Sequence, residues 1–585
     1  MAEGPNELLD KGTAAFRAGK HELAETLLQQ VVARQPGASV AHTLLSFIAR
    51  KRGDLPAAER LARQAVEAGP MEPGAHDALI AAQIVTQGVD ALLDTCRRAA
   101  ADQPDDFGAI YRLGTLLFKT ERVEESVEWL RRALELAPET VHIEFKFSRA
   151  LYVAGKYGEV LSVIREMRRR GVDTAAVHEL AGKVMSRLKQ PEDAVIAYRR
   201  ALERNPDEHS YHAGLSAALF QAKRLEEAQE VTKNFLRRVH GFTLAAKRPK
   251  AHVLVVSSIG VDNCYKRVLP DRKNMFVTGN SLTQVRGDRN TYHFTCIEHP
   301  DLSAAAKALG PINVIYNNLA GAESSIKSGK GLMLREFADR LGLPVVNAPE
   351  AIERTTRANN ARIITENTDI IYPKTILYLL RAEGTDRVRE RILEAVRFPM
   401  LIRRTYTNKD TDVAFAADEA ALTGALDYYH GKNVEEVYAI EFVTEEFRPG
   451  IYRKIRCAII DHVVYPVRVD FSTHWNVRRQ PEDSALSKAN QDLMDNEHAF
   501  LADSVAYLGA KNMARLETLG RLHDLDFLGV DFNIIGDGEM VVFEANPAMN
   551  CIEDRQVAEF PYFADYWERV LIAFEDMIVK KAGKR

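Results

Sequence analysis

Three side chains near the C-terminal end of this sequence carry hard oxygen donors at a spacing that brings them together. They are Asp531, in Gly529-Val530-Asp531-Phe532, and Glu544 and Asn546, in Phe543-Glu544-Ala545-Asn546-Pro547. Both segments read as strands, joined by the turn Gly536-Asp537-Gly538. Side chains alternate faces along a strand, so Glu544 and Asn546 point the same way, and a facing strand brings Asp531 into the same cluster. Two carboxylates and an amide oxygen, with positions left for phosphate oxygens and water, are the ligands Mg2+ takes when it is held through a nucleotide.

Upstream, Tyr452-Arg453-Lys454-Ile455-Arg456 leads into a hairpin with Tyr465-Pro466-Val467-Arg468. Lys454 and Arg456 share one strand face, and Arg468 lies on the next strand. Cations beside phosphate and metal stabilise charge that develops on a transferred phosphoryl group. The sequence shows no serine-histidine or cysteine-histidine arrangement for nucleophilic catalysis. His474, beside Trp475 and following Ser472, is a candidate base, with packing as its plainer role.

The string Asp531, then 13 positions on Glu544-x-Asn546, resembles the metal-binding hairpin of ATP-grasp enzymes. The resemblance implies ATP and Mg2+ as cofactors and a carboxylate-amine ligase that works through an acyl phosphate. Residue by residue, it implies acyl-phosphate contacts from Arg456 and Arg468. Arg403, ending the strand Phe398-Pro399-Met400-Leu401-Ile402-Arg403, stands where the family has a phosphate-binding lysine, and its planar fork can also bridge phosphate oxygens. The strand Tyr438-Ala439-Ile440-Glu441-Phe442-Val443 resembles the adenine hinge, with Glu441, Phe442 and Val443 around the base. Lys374, in the strand entry Tyr372-Pro373-Lys374-Thr375, and Lys454 complete the implied nucleotide contacts.

Two departures from the family stand out. Asn359 occupies the place of a lysine that reaches the nucleotide in protein-glutamylating relatives, which leaves Arg357 or Arg362 as substitutes. The loop Thr405-Tyr406-Thr407-Asn408-Lys409-Asp410 contains no glycine, whereas a phosphate flap needs close backbone approach. Either Thr405, Thr407 and Lys409 act through side chains, or the site is less active towards ATP. A small-molecule kinase and a non-catalytic nucleotide-binding scaffold are the competing readings.

The elements that must position these residues follow from periodicity. His252-Val253-Leu254-Val255-Val256 is a continuous apolar run of the kind found in buried parallel strands. Further strands are expected at 292–297, 312–316 and 344–347, with helices between them, which gives a small open α/β domain. Ser257, Ser258, Asn317 and Asn318 fall after its strands, where such sheets bind ligands.

The first 240 residues carry another period. Pro36, Pro70, Pro104 and Pro138 are each 34 residues apart, and after a skip at Val172 the series resumes at Pro206. That is the period of tetratricopeptide repeats, helix-turn-helix units closed by a proline. Small residues keep phase with it: Gly12, Gly114 and Gly182, then Ala24, Ala58, Ala194 and Ala228, then Ala133 and Ala201. The expected architecture is an all-α tetratricopeptide solenoid over 1–245, an α/β pre-ATP-grasp domain over 250–365, and an α+β ATP-grasp domain over 366–585. Such solenoids present a concave surface to peptides or proteins; dimerisation is the alternative role. The basic runs Arg168-Arg169-Arg170 and Arg199-Arg200 are candidates for lining the groove, or for a solvated helix face.

Composition sets the outer limits. At 585 residues, 46% hydrophobic and 27% charged, the chain is a multidomain globular protein. A net charge of −4 gives no general reason to expect nucleic acid. Five cysteines lack C-x-x-C spacing, so neither a zinc site nor a disulfide framework is indicated. Met1-Ala2-Glu3-Gly4-Pro5 does not begin a secretory signal and no apolar window is long enough for a membrane helix, so the expected location is cytoplasmic.

Overall fold

The computed structural model describes residues 4–120, 122–236, 240–258, 266–267, 274–275, 288–319, 321–405, 413–549, 551 and 554–583. The chain divides into two compact units, Met1–Ala222 and Lys223–Arg585. The candidate phosphate loop at 406–410 lies outside the described residues.

The first unit is a row of helix pairs: α1 (Pro5–Arg17) with α2 (His21–Arg34), α3 (Ser39–Arg52) with α4 (Leu55–Ala68), α5 (Pro73–Gln87) with α6 (Val89–Asp102), and α7 (Phe107–Lys119) with α8 (Val123–Leu136). It continues with α9 (Val141–Val153) and α10 (Tyr157–Arg169), α11 (Ala175–Arg187) and α12 (Pro191–Arg204), and α13 (His209–Gln221). The periodic prolines each follow a second helix, as at Pro36 after α2 and Pro206 after α12, where a residue that cannot continue a helix costs nothing. A histidine six residues on reads the same turn. The rings of His42, His76 and His212 each hydrogen-bond, at 2.7 Å, the carbonyl of Pro36, Pro70 and Pro206 respectively.

The in-phase small residues are contact points between the two helices of a pair. Ala24, Ala58, Ala133, Ala194 and Ala201 are fully buried. A Cβ on Gly182 would come 2.8 Å from the Tyr198 ring, and one on Gly114 3.0 Å from Leu130. The basic runs sit on the second helices. Arg168 and Arg169 end α10, Arg199 and Arg200 lie on α12, Arg169 pairs with Glu166 at 2.8 Å, and Arg170 pairs with Glu144.

In the second unit, β1 (Phe242–Leu244), β2 (His252–Ser257), the short pair β3 (Lys266–Arg267) and β4 (Asn274–Met275), β5 (Thr291–Cys296), β6 (Val314–Asn318) and β7 (Val345–Val346) come first. The main sheet runs β1-β5-β2-β6-β7, with β1 antiparallel to β5 and the remaining pairings parallel. A four-stranded antiparallel sheet follows in the order β10-β9-β11-β8, from β8 (Thr375–Tyr378), β9 (Met400–Arg404), β10 (Val413–Ala416) and β11 (Val437–Glu441). The last sheet holds β12 (Glu446–Arg448), β13 (Ile451–Ile460), β14 (Val463–Ser472), β15 (Phe527–Ile535) and β16 (Glu539–Asn546). Its strands β14, β13, β15 and β16 lie antiparallel side by side.

One apolar core joins the parallel sheet to the last sheet, through Val253, Tyr292 and Tyr316 on one side and Ile455, Phe527 and Phe532 on the other. The helix Phe563–Ala582 seals it, with Trp567 and Phe574 buried. Its fully buried Glu575 accepts from the Tyr292 hydroxyl at 2.5 Å and from the Asn290 amide. The four-stranded sheet has a separate core, with Met400, Ile402 and Val437 packed against Ile392, Leu422 and Leu426 of its own helices.

The glycine contacts make a test. Gly182→Ala drives a methyl group into Tyr198 and is expected to destabilise the first unit by about 1–3 kcal/mol. Gly158→Ala, on α10 with open space around its Cβ position, is expected to be neutral or to stabilise by up to about 1 kcal/mol. Urea unfolding followed by far-UV circular dichroism distinguishes them, and equal effects would show that the glycine phase is not a packing requirement.

Candidate nucleotide and metal site

The register of the last sheet builds the site. Arg456 on β13 lies opposite Arg468 on β14 and, on its other side, opposite Asp531 on β15, which in turn faces Glu544 on β16. Directly opposed residues share a sheet face, so Arg468, Arg456, Asp531 and Glu544 form a charged row across four strands. Lys454 and Asp470 make the adjacent row, and Asn546 lies opposite Gly529. A Cβ on Gly529 would come 2.3 Å from that of Met549, so glycine is what lets the chain after β16 fold back there.

Arg456 grips Asp531 with a two-point fork, Nε to Oδ1 at 2.6 Å and Nη2 to Oδ2 at 2.7 Å, and the Lys454 ammonium stands 3.3 Å from Oδ2. Burial by itself would raise the Asp531 carboxyl, which is 3% exposed; the Arg456 and Lys454 charges outweigh it and hold the group well below the usual carboxylate range. Glu544 Oε1 accepts from Arg357 Nη2 at 2.9 Å and from Asn546 Nδ2 at 3.4 Å. Asn546 Oδ1 accepts from the Ala548 N–H at 2.8 Å. Arg468 donates from Nε to Asp470 Oδ2 and from Nη1 to Gln556, both at 2.9 Å. Burial and the neighbouring Arg456 lower the Arg468 pKa. Asp470, which burial would raise, is held low by Arg468 and Arg479.

The structure thus brings together Lys454, Arg456, Arg468, Asp531, Glu544 and Asn546. The oxygen donors fit a magnesium ion that arrives with phosphate. Both carboxylates already face cations, Asp531 facing Arg456 and Lys454 and Glu544 facing Arg357, while Arg468 is held by Asp470. Asp470 is a member of this cluster that the sequence reading passed over, although its place two residues from Arg468 put it on the same face. Arg357, one of the two candidates for a phosphate contact, is the partner of Glu544. Arg362 pairs with Glu366 on the exposed side of its helix.

The remaining expected contacts lie on or beside the four-stranded sheet. Lys374 is exposed, and its carbonyl accepts from the Glu441 N–H at 2.9 Å; the Phe442 N–H is likewise taken, by the Pro399 carbonyl at 3.2 Å. Arg403, half-buried, sits opposite Tyr438 and Val413, and Val443 is half-buried just past β11. Phe442 reaches across to the other sheet. Its ring meets Trp475, which follows β14, at 5.4 Å, and both touch Phe415 of β10 at 5.0 and 5.6 Å. Glu323, on the helix Ala322–Ser328, accepts from the Arg357 N–H at 2.9 Å and from the Tyr438 hydroxyl of β11 at 3.1 Å.

His474 is exposed, and its N–H donates to Ser472 Oγ at 3.1 Å. Asn318 donates to Ser257 Oγ, Ser258 donates to Glu298, and Asn317 donates to the Asn347 carbonyl, all at 2.9 Å. These four polar residues are buried at the end of the parallel sheet.

Among the described residues no helix is long and apolar enough to cross a membrane. Solved structures similar to this chain fall into two groups. The ATP-grasp protein with a RimK domain from Sphaerobacter thermophilus is 16% identical, with 56% of this chain and 100% of that one covered, at a TM-score of 0.34. The D-alanine–D-alanine ligase from Bacillus anthracis is 13% identical over 57% of this chain and 97% of that one, at 0.35. MamA from Desulfovibrio magneticus RS-1 is 17% identical over 28% of this chain and 93% of that one, at 0.26. Residues 9–73, 93–139 and 180–231 match the tetratricopeptide repeat family model, and the first unit is an array of such repeats.

Proposed function

We propose that this chain is an ATP- and Mg2+-dependent ligase that joins a carboxylate to an amine through an acyl phosphate, on a peptide, protein or natural-product substrate recruited by the repeat array. The observation that carries this reading is the row Arg468, Arg456, Asp531 and Glu544, in which two guanidinium groups lie beside two carboxylates, with Lys454 and Asn546 next to them. Asp531, Glu544 and Asn546 would hold the metal, which when bound neutralises phosphate oxygens. Arg456 and Arg468 face the charge that develops on a transferred phosphoryl group, Lys454 and Arg403 orient the phosphates, and Glu441, Phe442 and Val443 border the base, with Lys374 at the strand entry. The chemistry needs positioning and charge neutralisation and no protein nucleophile.

Calorimetry with MgATP tests the site. Wild type is expected to bind, and Glu544→Gln to bind at least about tenfold more weakly, a loss of about 1.4 kcal/mol. Equal affinities would remove Glu544 from the metal set. Incubation with ATP and candidate acceptors tests the reaction: phosphate release with an amide product, and a hydroxamate when hydroxylamine is added, mark the ligase. A stable phosphate ester would make the protein a kinase.

The same ion pairs set an acid limit. Asp531 and Asp470 have depressed pKa values in the fold, so their contribution to stability is complete above the unfolded carboxylate value of about 3.9 and is lost as pH falls through the folded values. Asp531→Asn leaves Arg456 buried without its partner and is expected to cost about 3–5 kcal/mol at pH 7. Because protonation makes the wild-type carboxyl neutral too, that gap should close at acid pH. Urea unfolding of both proteins across the acid range checks this, and a gap that stays constant with pH would refute the assignment.

A further inference from the structure

Two hydrogen bonds to one carboxylate oxygen join parts of the second unit that lie far apart in sequence. Glu323 follows β6 on the short helix Ala322–Ser328, and its Oε1 accepts both the Arg357 backbone N–H at 2.9 Å and the Tyr438 hydroxyl at 3.1 Å. A single oxygen that accepts two donors keeps each within one hydrogen-bond length of itself, and so fixes how far apart they stand. The two donors belong to different halves of the candidate site.

The first donor leads to the metal strand. Arg357 opens the helix Arg357–Asn367, where the first N–H groups have no partner within the helix, so an acidic side chain there gains from the hydrogen bond and from the helix dipole. That helix grips β16 at two consecutive residues. Arg357 Nη2 donates to Glu544 Oε1 at 2.9 Å, and Asn360, three positions on along the same helix face, donates from Nδ2 to the Ala545 carbonyl at 3.0 Å. Asn360 is itself held, because its Oδ1 meets the buried His523 ring at 2.8 Å. The Glu544 carboxylate is thus oriented by a helix whose first residue is anchored by Glu323.

The second donor leads to the strand pair of the proposed phosphate contact. Tyr438 on β11 is buried and stands directly opposite Arg403 on β9, so the two side chains share a face of the four-stranded sheet. That sheet packs on a core of its own, which leaves its placement to a few outside contacts such as the Tyr438 hydroxyl bond.

We propose that Glu323 is a positioning residue of the site, setting the proposed phosphate contact Arg403 and the proposed metal ligand Glu544 relative to each other through Tyr438 on one side and Arg357 on the other. The inference rests on the MgATP reading and adds to it a side chain from the α/β region that acts only through its neighbours. A phosphate chain with its metal must be met by the β9 cation and the β16 carboxylate together, so an error in their placement weakens metal-dependent binding more than binding of the nucleotide alone.

Calorimetry of the full-length protein with ATP, once with Mg2+ and once with EDTA, reads that difference as the factor by which the metal tightens binding. Glu323→Ala is expected to lower this factor about tenfold, and Tyr438→Phe, which removes one hydroxyl, about threefold or more. The double variant should fall no further than Glu323→Ala alone, since both changes act through the same oxygen. Glu323→Gln keeps an acceptor oxygen and should stay within about threefold of wild type. Lys327→Ala, which breaks the exposed pair that the same helix makes with Glu435, should change the factor less than about twofold. If Glu323→Ala does not fold, Tyr438→Phe decides the matter. Unchanged factors in Glu323→Ala and Tyr438→Phe, additive losses in the double variant, or an equal loss in Lys327→Ala overturn the proposal and leave the MgATP reading standing. A wild-type protein whose ATP affinity gains nothing from Mg2+ overturns that reading and the proposal with it.

Discussion

The second unit depends on the cost of burying charge. Asp531, Arg456, Arg468 and Asp470 are withdrawn from water, and each is tolerable there only because an opposite charge stands beside it, set by the antiparallel register for Arg456 and Asp531 and by a spacing of two along β14 for Arg468 and Asp470. A shift of β15 by one residue against β13 would turn Asp531 to the apolar face and leave Arg456 facing a hydrophobic neighbour. The ion pairs therefore police the register of the strands that carry the candidate metal ligands.

That charged face is held from behind by apolar packing and by a few long-range polar ties. Asn347, just past β7, donates its N–H to Asp526 and its side-chain amide to the Phe527 carbonyl, and its Oδ1 accepts from the Phe527 N–H. Asp526 in turn receives Lys581 from the last helix at 2.7 Å. The parallel sheet, the entry to β15 and the C-terminal helix are thereby fixed to one another, while the four-stranded sheet, on its own core, is tied in through Glu323 and the Phe415, Phe442 and Trp475 rings.

What could be read from the sequence was what depends on local period. Strand alternation and a glycine-rich turn placed Asp531 opposite Glu544, and a proline every 34 residues announced the helix pairs. What could not be read depends on contacts between distant parts of the chain. Arg357 meets Glu544 across 187 positions, so its carboxylate partner was invisible beside the expectation of a phosphate. The basic runs drew attention because consecutive arginines are conspicuous, yet they sit on or just after second helices, where Arg169 pairs with Glu166 and Arg170 with Glu144. The histidines that cap the proline turns were legible in principle, as a His six residues after a repeat proline.

The core shared by the parallel sheet and the last sheet has a practical corollary for dissecting this protein. A fragment beginning near residue 366 would retain every candidate metal ligand, yet it would remove Val253, Tyr292 and Tyr316 from the core they share with Phe527 and Phe532. It would also strip Glu575 of both Asn290 and Tyr292, and β15 of its Asn347 clasp. The smallest piece that keeps the metal strands in register must therefore begin before β2, and the α/β region is a structural half of the site whatever it binds.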